Sequence, residues 1–229
     1  MKIAHIISNK VWGGGEQYVY DLCSTLISDG HDVEIFTRHI PAIVGKVAAL
    51  GVPIHDYSLK NILKLRDGIV HVHNFKDALK LAVAKKLTHS NIKIVVTRHL
   101  VRPAKTSRLY TWVYANVEKI IFVSDLARQE FLSSQPKVDE AKLCVVRNSI
   151  KTNDNANGFA VDDIKASLPN NCTILMYHGR IAKEKGLNVL IDAVARLRDI
   201  PYHLFLVGAG DAEYTNELKQ QIANRNISA

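Results

Sequence analysis

The sequence has few of the residues that crosslink a chain or hold a metal through thiolates. Three cysteines occur among the 229 residues, namely Cys23, Cys144 and Cys172. Their odd number and wide separation exclude a disulfide framework, and no two of them have the spacing of a zinc-binding pair. This cysteine use favours a reducing, cytoplasmic setting.

Long hydrophobic runs are missing as well. No apolar segment approaches the roughly 18 residues of a membrane-spanning helix, although hydrophobic residues make up 47% of the chain. That share is ample for the buried core of a globular protein. The segment from Met1 to Ser8 is too short for a signal peptide and precedes a glycine run, so we expect it to form a first strand.

Negative charge is scarce in the first part of the chain. Residues 1–150 contain 21 Lys and Arg against 13 Asp and Glu, whereas residues 151–229 contain nine of each. The net charge of +8 therefore belongs entirely to the first part. Such a basic region is typical of proteins with an anionic partner: nucleic acid, an anionic membrane or a phosphorylated substrate. A basic surface that only favours solubility is the alternative.

Short apolar segments recur in this basic part and predict the strands of a parallel sheet. They are continuous rather than alternating, as expected for strands that are covered on both faces. Helical patterns lie between them: one helix face carries Val19, Cys23 and Leu26. Gly30 is expected to end that helix. This alternation predicts a doubly wound α/β domain over residues 1–150. The predicted strands are 3–7, 33–36, 69–72, 92–96, 120–123 and 143–146.

A polar segment rich in Asn and Asp follows and predicts a linker at residues 151–165. The α/β pattern then resumes, with strands at 173–177 and 204–207, a helix lined by residues from Leu187 to Leu197, and a helix over 211–224. A domain usually contains ~100–150 residues. We therefore expect residues 166–229 to be the first part of a second domain, and the natural chain to be longer.

Gly13, Gly14 and Gly15 separate the first strand from the first helix. Ligands of open parallel sheets bind at the carboxyl ends of the strands, and bare backbone there lets a phosphate approach the amides of a helix start. A nicotinamide dinucleotide does not fit. Tyr18 stands where the third glycine of its motif is needed, and the second strand ends at Arg38 without an acidic residue.

The second part contains a comparable arrangement with added charge. Arg180 and Lys185 follow a predicted strand and precede a helix, where two cations and the helix dipole favour a diphosphate. Gly208 and Gly210 follow the next strand and predict a second close approach of backbone to a ligand. Two solvated surface charges are the alternative reading of the cations.

Seven short motifs resemble, in order and spacing, those of the retaining glycosyltransferases of family 4, also called glycosyl transferases group 1, which have the GT-B architecture. They are GGGE at 13–16, DGIVHVHN at 67–74, VVTRH at 95–99, FVSD at 122–125, VVRNSI at 145–150, GRIAKEKG at 179–186 and LVGAGD at 206–211. Ser149 stands where the family has glycine. The resemblance implies an N-terminal Rossmann-like, acceptor-side domain and the first part of a second, donor-side one.

The resemblance also implies an activity and a site. This family transfers a sugar from a nucleoside-diphosphate sugar, bound between the two domains, to an acceptor with retention of configuration. Arg180 and Lys185 would hold the donor diphosphate without a metal, and His99 would face the transferring sugar. Glu16 is a weaker assignment, since a carboxylate also favours a first helical turn. The positions implied for substrate binding are Gly13, Gly14, Glu16, His73, Ser124, Asn148, Gly179, Gly208 and Gly210.

One departure bears on activity. The family's second domain carries two glutamates eight residues apart that position the sugar and the ribose, whereas Glu213 and Glu217 are four apart. We therefore expect incomplete donor binding and no transfer by this chain alone. A sugar-nucleotide epimerase of the same architecture and a non-enzymatic module that binds anionic surfaces are the alternative functions.

Two further patterns could indicate other ligands. His71 and His73 share one face of a strand, which could hold a metal, but no third ligand is evident, so core or cleft histidines are favoured, with His73 nearer the cleft. We expect neither a metal nor another cofactor. Tyr110, Trp112 and Tyr114 lie near basic residues, but their spacing spreads them around a helix. We therefore expect packing rather than a nucleic-acid partner.

The basic cluster favours an anionic surface instead. In the resembling family, many acceptors are lipid-linked phosphates at the cytoplasmic face of the membrane. We therefore expect a saccharide or lipid-linked acceptor, a role in cell-surface polysaccharide or lipopolysaccharide assembly, and a cytoplasmic protein that is peripheral at the inner membrane face. The residues of this cluster are Lys80, Lys85, Lys86, Arg102, Lys105 and Arg108.

Overall fold

The computed structural model describes residues 1–149, 168–169, 171–197 and 200–225. The predicted linker at 151–165 lies outside this described part of the chain. The chain divides into two compact units, Met1–Thr152 and Asn153–Ala229.

The first unit is built on a parallel seven-stranded sheet with the order β3-β2-β1-β4-β5-β6-β7. The order reverses between β1 and β4, so their carboxyl ends mark the place where ligands of doubly wound sheets bind. The strands are β1 (Lys2–Ile7), β2 (Asp32–Thr37), β3 (Ile54–Asp56), β4 (Ile69–Val72), β5 (Lys93–Arg98), β6 (Lys119–Phe122) and β7 (Leu143–Val145).

Helices cover both faces of this sheet, as the continuous apolar strands predict. One face packs Ile7 and Ile35 against the first two helices, and the other packs Ile6 and Val72 against later ones. The sequence analysis missed β3, because Ile54–Asp56 is a short edge strand whose residues are all partly exposed. The helices are α1 (Gly14–Ser28), α2 (Pro41–Ala48), α3 (Leu59–Ile62), α4 (Phe75–Thr88), α5 (Arg108–Asn116) and α6 (Asp125–Ser133).

The second unit pairs β8 (Thr173–His178) with β9 (Tyr202–Val207) in parallel. Helices α7 (Leu187–Val194) and α8 (Ala212–Asn224) pack against each other through apolar residues that include Ile191 and Leu218. The predicted extension of α7 to Leu197 was wrong. The amides of Arg196 and Leu197 bond to carbonyls three residues back, so the chain tightens and leaves the helix after Val194.

None of the helices in the described residues has both the length and the apolar character needed to cross a membrane.

Candidate functional site

The glycine run forms the start of α1. Gly13 is the extended residue before the helix, and its N–H donates to Glu16 Oε2 at 2.9 Å. Glu16 is only 6% exposed and also accepts from the side chain of Asn9. Glu16 therefore stabilises the first turn of α1 by accepting the Gly13 amide, which is the alternative interpretation given above for this carboxylate. A Cβ at Gly14 or Gly15 would meet no atom within 4 Å.

A row of histidines runs along one face of the sheet beneath α1. His5 on β1 lies in register with His71 on β4, and their ring centroids are 4.9 Å apart. His73 follows β4, with its ring 4.6 Å from that of His71. His99 follows β5, and its ring stacks on His73 at 5.4 Å. Tyr18 of α1 packs its edge against the rings of both His73 and His99.

Two hydrogen bonds fix the orientation of these rings. The Nε2 atom of His71 lies 2.7 Å from the hydroxyl of Thr97, and Nδ1 of His73 lies 3.2 Å from Nε2 of His99. Burial lowers the pKa of His99, an effect that the nearby Glu16 carboxylate partly opposes. His99 is therefore a neutral imidazole near pH 7, able to exchange hydrogen bonds with a substrate but carrying no charge.

A cavity of about 600 Å³ opens beside His73 and His99 at the carboxyl ends of β1, β4 and β5. Its wall contains six cationic side chains and one carboxylate, that of Asp77. Such a surface concentrates a positive field where a ligand would enter. Three residues of the predicted basic cluster, Lys80, Arg102 and Lys105, belong to this wall. The six cations are Arg38, Lys76, Lys80, Arg98, Arg102 and Lys105.

Asp77 is held inside the wall by neutral donors. It is 2% exposed and accepts hydrogen bonds from Ser8, Tyr57 and Asn74. Burial and this carboxylate raise the pKa of the Tyr57 hydroxyl, which therefore stays protonated as a donor. Lys80 lies farther away, with Nζ 3.6 Å from Oδ1. Asp77 keeps its negative charge whatever its hydrogen-bond partners, but one carboxylate cannot balance six cations, so the wall keeps a net positive charge.

The aromatic residues of this region support the cations. The Arg98 guanidinium packs over the rings of Phe75 and Phe131. It also donates to the carbonyls of Arg102 and Pro103 and so holds the loop after β5 in place. Lys105 lies 4.7 Å above the ring of Tyr110.

The expected packing role is seen at Tyr114, which is 1% exposed. Its hydroxyl donates to the Lys105 carbonyl at 2.9 Å. Tyr110 and Tyr114 both line the cavity, and Tyr110 and Trp112 also pack against the hydrophobic core.

Two other predicted site residues of the first unit lie outside the wall of this cavity. Ser124 precedes α6, and its hydroxyl accepts from the amide of Ala127 at 3.1 Å. It is thus a helix cap whether or not a ligand binds. Asn148 is exposed in the segment after β7. Sequence reasoning missed His5, Asp77, Tyr57 and Arg98. The signal for His5 was a polar residue inside the apolar run KIAHII.

In the second unit, Arg180 and Lys185 lie in the short segment between β8 and α7, and both are exposed. Arg180 pairs with Glu184 at 3.1 Å, and both side chains are about 60% exposed, so the pair is weak and open to exchange. Gly186 adopts a left-handed conformation and begins α7. The two cations therefore flank a turn that ends at a helix N-terminus.

Gly179, Gly208 and Gly210 have a structural reason to be glycine. The amides of Gly179 and Ile181 bond to the carbonyls of Val207 and Ala209, which draws the two strand ends together. A Cβ at Gly208 would lie 1.8 Å from the Gly179 oxygen, and one at Gly210 would lie 2.3 Å from the Ile181 oxygen. Backbone packing thus requires glycine at 208 and 210 independently of any ligand, whereas a Cβ at Gly179 would lie 2.9 Å from the Tyr177 hydroxyl.

Comparison with known families agrees with the sequence motifs. The sequence model of Glycosyltransferase Family 4 matches residues 12–154, and that of Glycosyl transferases group 1 matches residues 160–229. Because the first match alone covers more than half of the chain, the protein belongs to glycosyltransferase family 4. A search of curated proteins returns no match.

Solved structures show the same fold at low identity. HepE from Anabaena, solved with UDP-glucose, is 15% identical with a TM-score of 0.77, over 100% of this chain and 67% of that one. A glycosyltransferase from Rickettsia africae is 21% identical with a TM-score of 0.76, over 99% and 65%. WaaG, a glycosyltransferase involved in lipopolysaccharide biosynthesis, is 14% identical with a TM-score of 0.60, over 98% and 68%.

These likenesses identify the fold as GT-B. The chain spans about two thirds of the length of each of these structures.

Proposed function

We propose that the full-length protein transfers a sugar from a nucleoside-diphosphate sugar to an acceptor, with retention of configuration at the transferred carbon. The observation that carries the proposal is the pair of exposed cations, Arg180 and Lys185, beside the N-terminus of α7. Family membership supports the activity, and the UDP-glucose bound to HepE supports the class of donor.

Charge at this turn suits a leaving diphosphate. Negative charge grows on the diphosphate as the glycosidic bond breaks, and fixed cations that meet this charge lower the barrier. Arg180 needs only to exchange Glu184, a solvated partner, for a phosphate oxygen. The free amides at the start of α7 add a favourable dipole. In this proposal the two side chains supply the stabilisation of the leaving group, and no metal bridges the diphosphate.

The cavity of the first unit is proposed as the acceptor site. Neutral His99 and the Ser8 hydroxyl offer the exchangeable hydrogen bonds that sugar hydroxyls need, whereas Lys80, Arg102 and Lys105 suit a phosphate or carboxylate. An acceptor that combines sugar and anionic groups fits both parts of the wall. The role of WaaG in lipopolysaccharide biosynthesis supports a saccharide or lipid-linked acceptor in cell-surface polysaccharide assembly.

The remaining basic residues are proposed to dock the protein on the cytoplasmic face of the inner membrane. Lys85 and Lys86 form the basic last turn of α4. A basic residue near an anionic surface contributes about 1 kcal/mol. Replacing both lysines by glutamine should therefore weaken binding to anionic vesicles by roughly 10–30-fold. The double change of Lys60 and Lys64 to glutamine is the matched control, and equal binding to neutral vesicles would contradict membrane docking.

The donor site is tested by kinetics of sugar transfer in the active enzyme. Arg180→Ala and Lys185→Ala should each lower turnover by roughly 10²–10³, the scale of a lost charge-stabilising donor. Lys183→Ala is the matched control, because Lys183 lies in the same turn but pairs with Glu217 at 3.1 Å. Wild-type turnover in both variants would refute the diphosphate assignment, and a change of the sugar nucleotide without acceptor would indicate the epimerase.

A further inference from the structure

Three of the histidines described above converge inside the first unit. One ring nitrogen from each of His5, His71 and His73 lies within 4.8 Å of the other two. His5 is fully buried and His71 is 6% exposed. The sequence places two of them on one strand, and the third arrives only because β1 pairs with β4 in register. The expectation that no third ligand stands near His71 and His73 was therefore wrong.

The cluster contains polar atoms that are buried away from water and have no hydrogen-bond partner in the described part of the chain. Both ring nitrogens of His5 and the Nε2 atom of His73 are buried and have no hydrogen-bond partner among the described residues. Buried polar groups are nearly always satisfied, so each exception calls for an occupant such as an ion or a water molecule. The unsatisfied atoms belong to rings that contact one another.

One ring nitrogen of His71 and one of His73 are already engaged. His71 uses Nε2 for the Thr97 hydroxyl, and His73 uses Nδ1 for His99. Histidines that ligate a metal usually hold their second nitrogen in such a bond, which fixes the ring and directs the first nitrogen inward. Thr97 and His99 are the groups that would hold His71 and His73 in this way.

We propose that His5, His71 and His73 bind one transition-metal ion, with zinc as the best match. Imidazole nitrogen suits zinc and its neighbours in the first transition series, whereas calcium and magnesium prefer oxygen. Tetrahedral zinc with Zn–N bonds of ~2.0–2.1 Å places two ligand nitrogens about 3.3–3.4 Å apart, so nitrogens that are now up to 4.8 Å apart would move together by up to about 1.5 Å on binding.

The position of the ion gives it a structural role and a positioning role. It would tie β1 to β4 at their carboxyl ends, where the strand order reverses. It would also fix His73, whose other nitrogen meets His99 at the cavity. The ion is held within the first unit and is not proposed as a ligand of the donor diphosphate. The inference therefore stands or falls independently of the proposed transferase activity.

The test measures zinc binding by the untagged 229-residue chain after treatment with a chelator. Equilibrium dialysis should give one zinc per chain, and cobalt should give the visible absorption of a nitrogen-ligated site. Trp12 and Trp112 are the two tryptophans and both belong to the first unit, so their fluorescence follows its unfolding. Zinc at about 100 times its dissociation constant should raise the unfolding temperature by roughly 5–10 °C.

Two variants separate the ion from a trapped water molecule. His5→Phe keeps a ring of similar size and removes two unsatisfied nitrogens, so it should lose both the zinc shift and the cobalt spectrum. His39→Gln is the matched control, because His39 is an exposed histidine of the same unit, and it should bind zinc as the wild type does.

A wild-type chain that binds no zinc, or a zinc shift that persists in His5→Phe, would overturn the proposal. If the wild-type chain binds no zinc and His5→Phe is more stable than the wild type, the site is assigned to a water molecule. Should His5→Phe fail to fold, the cobalt spectrum of the wild type and the loss of zinc in His71→Asn decide the question.

Discussion

Glycine stands at the strand ends of both units, but for different physical reasons. In the first unit, Gly14 and Gly15 have open space where a side chain would lie. In the second unit, Gly208 has a φ of +152° and touches the backbone of Gly179 so closely that no side chain fits. Packing explains the second set completely and leaves the first set without a structural cause. An open, bare helix start is the arrangement that a bound phosphate requires.

The two sheets also differ in how far their strands are buried. Five of the six residues of β1 are buried, whereas none of the six residues from Thr173 to His178 in the described second unit is. Met176 is 63% exposed on β8. Helices cover both faces of the first sheet, but α7 and α8 pack together over one apolar cluster of the second unit. We therefore expect the first unit to be the more stable of the two.

Thiol reactivity should show the largest contrast between the units. Cys23 in α1 is fully buried, and burial raises the pKa of its thiol to about 12. Cys172, in the second unit, is partly exposed. Because the thiolate is the reactive form, alkylation of Cys23 at pH 8 should be at least about 10³-fold slower than that of an ordinary thiol. Mass spectrometry of timed samples measures both rates, and rapid labelling of Cys23 in the folded chain would contradict this burial.

The crowded glycine provides the largest stability effect. Gly208→Ala combines an unfavourable φ with a Cβ that would overlap a backbone oxygen, so the second unit should lose about 3 kcal/mol or more. Amide hydrogen exchange of β8 and β9 measures this loss directly. The tryptophan fluorescence transition should stay unchanged, because Trp12 and Trp112 both lie in the first unit. Native-like exchange in β9 of the variant would show that the close approach to Gly179 is relaxed in solution.

A helix cap tests an intermediate case, in which one residue has a structural and a predicted ligand role. Ser124→Ala removes the acceptor of the Ala127 amide, so the first unit should lose about 1 kcal/mol. Ser107 caps α5 in the same way, and Ser107→Ala serves as the control. A cap alone predicts similar kinetics for both variants. Slower transfer in Ser124→Ala alone would add substrate binding to its role.

The sequence predicted the fold well where the signal was local. Continuous apolar runs identified β1 and β4 because both strands are covered on both faces, and the glycine run marked the start of α1. Failures occurred where a boundary depends on tertiary context. The three residues of β3 are too few and too exposed to form a pattern, and α7 ends early because its last turn tightens.

The residues of the candidate site also fall into two groups, those that lie in local motifs and those that depend on tertiary contacts. His99 and Arg180 were predicted as site residues because each lies in a motif that follows a strand. His5 and Asp77 were missed, because their importance arises from contacts between segments far apart in the chain. His5 meets His71 across a pairing of β1 with β4, and Asp77 collects donors from Ser8 and Tyr57. Contacts between such distant segments produce no local periodic pattern in the sequence, so they could not be predicted from it.

The smallest stability effect belongs to the open glycine turn, and there activity is the decisive measurement. Gly14→Ala places a methyl group in empty space at the first residue of α1, so the free energy of unfolding should change by no more than about 1 kcal/mol, in the stabilising direction. If a phosphate or sugar of the donor approaches this backbone, the same methyl group occupies ligand space. Transfer by the full-length enzyme should then fall by about tenfold, equivalent to ~1.4 kcal/mol of lost transition-state binding. Gly45→Ala is the matched control, since Gly45 also has open space but lies within α2, away from the strand ends. Unchanged kinetics in both variants would show that the glycine run only forms a turn. The glycines of the two units would then differ only in how closely their neighbours pack.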